Sequence, residues 1–403
     1  MNYTDAGKGC RMWLGDLDGD GRMEYVMVQP DGGIDDRFVP HMVQCATAYT
    51  LEGKRLWQIG EPDPDVVGSG SDIPAQIYDI DGDGANEFIC VMKGELCVFN
   101  GRNGILKHKH PLPDPEAHDC IIFADLDGRG KARNIILKNR YHQIWALDTE
   151  FNVMWTFKGD VGHYPWVYDL NGDGRDEVIA GYTVLSADGK PMWRIDMEDH
   201  ADCIWVCDLY ENGEPVVLVG GADTTAYTPD GRLLWRFTDT VESQNIAPGK
   251  FFPDMKGLQV AGLDRIVRTG QKGRDGVFIF DCDAKPLYKE DRKSFGWTSV
   301  VTTLTNFQRG EKRDYILVYK RGEEEKDGVF DGEMNCLVEF PFAGNCIWGD
   351  LNGDGLNKLV LYSDDTIIIY STEQTDLMRP AKKETIKQPK RLYNWTRYWG
   401  SEL

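Results

Sequence analysis

One acidic phrase recurs along this chain, each time just ahead of a stretch rich in β-branched and aromatic residues. Its copies are Asp16-Leu-Asp-Gly-Asp-Gly, Asp79-Ile-Asp-Gly-Asp-Gly, Asp125-Leu-Asp-Gly-Arg-Gly, Asp169-Leu-Asn-Gly-Asp-Gly, the eroded Asp208-Leu-Tyr-Glu-Asn-Gly and Asp350-Leu-Asn-Gly-Asp-Gly. A phrase returning every few dozen residues marks stacked copies of one supersecondary unit, because each copy buries its apolar face on the next. Between Asp208 and Asp350 two weaker copies keep the loop-then-strand rhythm, from Phe251-Phe-Pro-Asp and from Asn306-Phe-Gln-Arg. That makes eight units in 403 residues, roughly 50 residues each, the size of a four-stranded propeller blade. In each unit an apolar run precedes the loop (Ile121-Ile-Phe-Ala) and another follows it (Val178-Ile-Ala-Gly-Tyr). A hairpin then closes on an aromatic, as in Leu51-Glu-Gly-Lys-Arg-Leu-Trp57, Ala187-Asp-Gly-Lys-Pro-Met-Trp193 and Pro229-Asp-Gly-Arg-Leu-Leu-Trp235. Asp-Gly between apolar segments signals a hairpin, and no stretch of helix length carries a helical apolar period. The sequence predicts an all-β, eight-bladed β-propeller over residues 1–403 as one domain, its N- and C-terminal segments sharing a closing blade.

The formal net charge of -21, from 45 basic and 66 acidic residues, disfavours nucleic acid as a partner, since phosphate contacts need clustered Lys and Arg. No run of ~18 apolar residues is present to span a bilayer. Met1-Asn-Tyr-Thr-Asp-Ala has neither the basic nor the apolar region of a secretory leader. The ten cysteines are scattered without a C-x-x-C pair, which fits buried thiols in a reducing compartment. The expected location is cytoplasmic. The basic, polar run Lys382-Lys-Glu-Thr-Ile-Lys-Gln-Pro-Lys-Arg reads as a solvated crossing segment.

In Asp16, Asp18, Asp20 and Glu24 the acids stand at positions 1, 3, 5 and 9 of a tight glycine-containing loop. Alternate positions of such a loop aim their oxygens at one centre, the carbonyl at position 7 can join them, and hard oxygen donors in this number suit Ca²⁺. The last carboxylate comes at position 9 rather than 12, so this is not an EF-hand; it resembles the calcium loops of integrin-type propeller repeats. Asp79, Asp81, Asp83 and Glu87 form an equally complete set, as do Asp169, Asn171, Asp173 and Glu177. The loop at Asp125 carries Arg129 at position 5 and Asn134 near its end, and is expected to hold no metal. The loop at Asp350 ends in Lys358 where the three complete loops have an acid. Calcium is thus expected as a structural ion that braces blades, because gathered carboxylates repel one another without a cation.

Six to eight residues before each loop, the chain should enter the innermost strand of a blade at the rim of the channel. Around the repeats that slot reads Gly70-Ser-Asp72, Ala117-His-Asp119, Gly162-His-Tyr164, His200-Ala-Asp202 and Gln244-Asn245. Three of the seven histidines fall in phase there. A convergent polar pocket on the axis is the functional reading, since propellers bind ligands there. Unrelated channel-lining polar residues are the alternative.

From Asp16 nearly to the C-terminus, the chain resembles the rhamnogalacturonan lyases of polysaccharide lyase family 11, which are calcium-rich eight-bladed propellers. Family segments of the type "YKLDGTKLWRI…DFDGDGKAEV" are similar to residues 49–59 and 79–89. "NHSLSVADVDGDGKDEI" is similar to the run from Gly162 to Val178, "GHGDA" to Asp199-His-Ala-Asp-Cys203, and "YRLSVAWQN" to Arg391-Leu-Tyr-Asn-Trp-Thr-Arg. The resemblance implies a functional cation, calcium or another divalent metal, held by His163, His200, Asp202 and, counting along the strand, Asp223. It also implies that Arg140 and Tyr141 contact substrate, where the family has "GYYTR". Two departures stand out. Gln244 or Asn245 falls where the family's "GRG" turn carries arginine, and Phe342 falls where its "NGTKATP" carries lysine.

Two readings follow. In the first, the chain is an enzyme cleaving a uronate-containing, rhamnogalacturonan-type oligosaccharide by metal-assisted β-elimination. His118 is then the base, with Arg140 and Tyr141 as the other catalytic residues; a related sugar reaction in the same pocket is a variant of it. In the second, a non-catalytic, calcium-stabilised propeller binds a glycan or a protein partner through its rim. A quinone-dependent dehydrogenase propeller would share the aromatic strand ends but leaves the acidic loops unexplained.

Overall fold

The computed structural model describes residues 4–32, 41–66, 73–197, 201–266, 274–291, 294, 299–322 and 325–390. Its strands form seven four-stranded sheets and one three-stranded sheet, each paired in chain order. The sheets cover residues 11–60, 75–111, 120–158, 166–194, 203–237, 243–289, 300–339 and 345–370. Every pairing is antiparallel, as between Arg11–Gly15 and Glu24–Pro30, where Trp13 faces Val26. Eight sequential meanders make this an eight-bladed β-propeller. The described residues contain no α-helix, only a 3-10 turn at Thr4–Ala6. No helix is long and apolar enough to cross a membrane.

The sheets divide between two compact units. One holds the described residues up to Lys158 and from Cys346 onward, and the other those from Gly159 to Asn345. Within the first unit, apolar cores lie between neighbouring sheets. Trp13, Val26 and Ala48 pack with Ile77 and Phe88, and Ile89 and Val98 pack with Phe123 and Leu137. In the second unit Phe251, Ala261 and Ile279 meet Val301 and Ile316. The first strand of a sheet, such as Cys120–Ala124, is wholly buried, whereas the fourth, such as Val153–Lys158, alternates exposed with half-buried. That difference explains the continuous apolar runs beside the loops and the alternating pattern in the outer strands. The ten cysteines are thiols rather than disulfides, all buried except Cys336.

The outer hairpins share one turn. Gly53, Gly189 and Gly231 adopt positive φ (85°, 74° and 88°). Each donates its amide to the carbonyl three residues back, Thr50, Ser186 and Thr228. A register shift follows at Ala48/Tyr49, Val184/Leu185 and Ala226/Tyr227. A left-handed residue is what such a bulged hairpin needs, which is why glycine recurs there. Phe151, Ala284 and Met334 take the same conformation without being glycine (φ 67°, 62° and 61°).

Beyond each turn, a tryptophan fastens its sheet to the next. Trp57 donates its indole N–H to the Gly101 carbonyl at 2.6 Å, Trp193 to Pro229 at 3.0 Å and Trp235 to Cys282 at 3.0 Å. Gly104 (φ 66°) and Gly231 lie flat against the Trp57 and Trp193 rings, where an added Cβ would come within 2.8 and 2.6 Å.

The shared closing blade expected from the sequence is not what the described residues form. The first sheet is complete in itself and the eighth has three strands. The two are joined instead by side chains and loops. The Met12 amide donates to the Tyr362 hydroxyl at 3.0 Å, Gly9 donates to Asp364 at 3.0 Å, and Met23 to the Leu351 carbonyl at 2.8 Å. After Tyr370 the chain leaves the sheet and runs as an irregular strap over the acidic loops. Ala381 donates there to the Asn352 carbonyl at 2.7 Å and Ile386 to the Asp16 carboxylate at 2.8 Å.

Candidate functional site

In the first acidic loop the backbone turns its amides inward onto the leading aspartate. Asp16 accepts from Gly19 (2.7 Å), Asp20 (3.1 Å) and Gly21 (3.1 Å). Glu24, at the head of the next strand, accepts from Leu17 at 2.8 Å. This cradle brings oxygens of Asp16, Asp18 and Glu24 within 4.8 Å of one another. Burial, followed by the charges of Asp18, Asp16 and Asp20, pushes the Glu24 carboxyl up to about 8. A carboxylate so disfavoured as an anion fits a neighbouring cation, and the donor set is all hard oxygen. Asp20, expected as a fourth ligand, instead turns to Arg22, with Arg22 Nε at 3.2 Å.

The second loop gathers Asp79, Asp81 and Glu87 within the same 4.8 Å, but a side chain has entered it. Lys107, from the fourth strand of that sheet, lays its ammonium 2.5 Å from Asp81, 3.0 Å from Glu87 and 3.6 Å from Asp83. Burial still raises the Glu87 carboxyl to about 7. In the loop at Asp169, the Asn171 amide donates to Glu177 at 2.9 Å and Asp173 accepts from the Arg175 backbone at 2.9 Å. Burial, then Asp173 and Asp169, raise Glu177 to about 7. The loop at Asp125 folds the same way without a closing acid. Arg129 and Gly130 donate to Asp125 at 2.9 and 2.6 Å, and the Asn134 side-chain oxygen accepts from Leu126 at 2.9 Å.

In the second unit, residues at the starts of consecutive inner strands meet. His163 Nε2 lies 3.6 Å from Asp202 Oδ1, and the Gln244 amide donates to the same oxygen at 2.9 Å. Asp202 is buried while His163 keeps slight exposure. An imidazole nitrogen and a carboxylate oxygen so spaced fit two positions on one divalent cation. Gln244, at the slot where the resemblance looked for arginine, thus holds Asp202 in place. Asn245 accepts from the Val301 amide at 3.3 Å, and Phe342 is half-buried. Asp223 is occupied elsewhere: Arg236 reaches it at 3.1 Å. Among the described residues, no tight ligand cluster joins it to His163 and Asp202. His200 lies outside the described residues, as do Gly70-Ser-Asp72 and Arg391-Leu-Tyr-Asn-Trp-Thr-Arg.

His118, Arg140 and Tyr141 belong to the first unit. Arg140 is buried, with Nη1 3.3 Å from Asp119, and its guanidinium lies 6.0 Å from the centre of the Tyr141 ring. On the other side Lys138, fully buried, hydrogen-bonds the Asp119 carboxylate and donates to the Arg140 carbonyl at 2.7 Å. Two cations thus converge on one carboxylate. His118 is half-buried and its Nδ1 has no hydrogen-bond partner among the described residues. Sequence reading passed over Lys138. The available signal was a lysine ending the apolar strand Asn134–Lys138, since a buried ammonium requires a carboxylate partner.

No protein-family model matches the chain. By sequence it is similar to two Bacillus subtilis proteins. With the rhamnogalacturonan endolyase YesW it is 24% identical over 50% of this chain and 42% of that protein. With the rhamnogalacturonan exolyase YesX it is 23% identical over 66% of this chain and 53% of that protein. The match therefore spans about half the length of these curated relatives. The crystal structure of YesX superposes with a TM-score of 0.69 over 91% of this chain and 72% of that one, at 19% identity. The V. cholerae biofilm matrix protein Bap1 superposes with a TM-score of 0.63 over 98% and 96%, at 11% identity. The fold is common to all of these, and the chain is a divergent relative of rhamnogalacturonan lyases.

Proposed function

We propose that this chain cleaves a uronate-containing, rhamnogalacturonan-type oligosaccharide by metal-assisted β-elimination. The observation carrying this reading is the buried cluster of Lys138 and Arg140 around Asp119, beside His118 and Tyr141. Its excess positive charge suits an acidic sugar. Arg140 binds and orients the C6 carboxylate, with Asp119 holding the guanidinium and Lys138 holding Asp119 and the Arg140 carbonyl. The His118 imidazole takes the C5 proton. The C5 electron pair forms the C4–C5 double bond, the C4–oxygen bond breaks, and the departing oxygen takes a proton from Tyr141 or solvent. In the second unit, His163 and Asp202 would hold a divalent cation, which would supply positive charge toward an acidic sugar.

The test is the ultraviolet absorbance of the unsaturated uronate product during incubation with rhamnogalacturonan oligosaccharides. Wild-type protein is expected to generate it, and Arg140→Ala to abolish turnover while keeping its melting temperature within a few degrees. Full turnover in Arg140→Ala would remove the assigned role. A second reading, a glycan-binding propeller without chemistry, is favoured by Gln244 and Phe342 standing where the lyases carry basic residues. It predicts saturable oligosaccharide binding with no absorbance change.

A further inference from the structure

The eighth-sheet loop repeats the acidic turn with one exchange: at position 9, where the first three complete loops carry Glu24, Glu87 and Glu177, it has Lys358. The Lys358 side chain is fully buried. Its ammonium donates to Asn352 Oδ1 at 2.8 Å and to the Leu356 carbonyl at 2.9 Å, hydrogen-bonds Asp354, and lies 3.4 Å from Asp350. Those four oxygens come from positions 1, 3, 5 and 7, the positions that would surround a divalent ion in such a loop. The leading aspartate keeps its usual amides, from Asp354 (3.0 Å) and Gly355 (2.7 Å). Thr375 of the strap closes the far side, accepting from Asn352 Nδ2 at 3.1 Å and donating to Asp354 at 3.2 Å.

We infer that the eighth loop is a cation site whose cation is the chain's own Lys358 ammonium, so that this loop needs no metal. The charges support the exchange. A glutamate and a divalent ion together contribute one positive charge, and one lysine contributes the same, so the remaining carboxylates meet equal compensation. Geometry supports it too: position 9 starts the strand Lys358–Tyr362 beneath the loop, and the lysine stem carries its charge back up to the centre that a glutamate would approach through a metal. Lys107 differs. It enters the second loop while Glu87 stays, and it retains solvent exposure, so it is a displaceable occupant.

The test compares the full chain with Lys358→Glu and Lys358→Met, measuring bound calcium per chain by equilibrium dialysis and melting temperature in calcium and in EGTA. Lys358→Glu is expected to bind one more calcium than the parent and to gain several degrees more from calcium than the parent does. Lys358→Met is expected to melt below the parent by a similar amount in both buffers. Unchanged stoichiometry in Lys358→Glu, or its failure to fold even in calcium, would overturn the inference. Mass-spectrometric footprinting of the parent with an amine-reactive reagent gives a second measurement independent of any variant. Lys358 is expected to stay unmodified equally with calcium and with EGTA; ready labelling in either would overturn it.

Discussion

Replacing Trp57 probes how one blade is fastened to the next. The ring is 7% exposed, packs 5.7 Å from the Phe88 ring and donates to the Gly101 carbonyl at 2.6 Å. Trp57→Ala removes the ring and leaves a cavity between the first two sheets, a loss of about 3–5 kcal/mol. Trp57→Phe keeps most of the apolar contact but forfeits the hydrogen bond, about 0.5–1.5 kcal/mol, and strands the Gly101 carbonyl. For a cooperative unit of roughly 200 residues, 1 kcal/mol moves the melting temperature by about 2–4 °C. Alanine should therefore lower melting by about 6–20 °C and phenylalanine by about 1–6 °C, followed by circular dichroism in the near ultraviolet. Trp193 and Trp235 are half-buried and make longer bonds, so their alanine variants should cost less. A Trp57→Ala variant melting within 2 °C of the parent, or a cost at Trp193 exceeding that at Trp57, would refute the clasp as a source of blade stability.

Three further outcomes are expected. Calcium at about 100 times its dissociation constant should stabilise the protein by about 2.7 kcal/mol for each site filled; Glu24→Gln should remove the first loop's share of the calcium-dependent melting shift, and an undiminished shift in that variant would count against the site. Lys107→Met should lower stability in EGTA, because Asp81 and Glu87 lose their counter-charge, and enlarge the stabilisation by calcium; an unchanged calcium response would show that the lysine does not compete. Burial, then His110 and Lys107, hold the His108 imidazole below its ordinary 6.5. Its unfolded form therefore binds the proton more readily, and stability present above about pH 6.5 is lost as pH falls toward the lowered folded value. His108→Phe should flatten that limb of the pH–stability curve, and an identical curve would dismiss the histidine as its cause.

The blade repeat was legible because the acidic turn is a local device: its aspartate caps backbone amides within five residues, so sequence spacing and geometry carry the same information. The Asp-Gly hairpins were legible for the same reason, whereas Phe151, Ala284 and Met334 adopt the left-handed turn without the residue that advertises it. The joint between the first and eighth sheets was not legible, because the strap after Tyr370 is held by single hydrogen bonds to distant loops such as Ile386 to Asp16. The site divides along the same line. Asp16, Asp18 and Glu24 converge within one turn, but Asp20 is drawn to Arg22, Asp223 to Arg236 and the second loop to Lys107. Lys107 and Arg236 come from outer strands 13 or more residues away in sequence, and nothing in the local pattern announces their reach. Lys138 escaped notice because its partner Asp119 lies on the neighbouring strand's entry, 19 residues earlier.

Product mass tests the central claim most directly. Purified chain incubated with rhamnogalacturonan oligosaccharides and calcium should yield new fragments lighter by one water than their hydrolytic counterparts, because elimination leaves a C4–C5 double bond where hydrolysis would add water. These fragments should vanish with chelator, and in an Asp202→Asn variant that retains the parent's melting temperature. Saturated fragments, no fragments at all, or undiminished unsaturated fragments from Asp202→Asn would contradict a metal-assisted eliminative lyase.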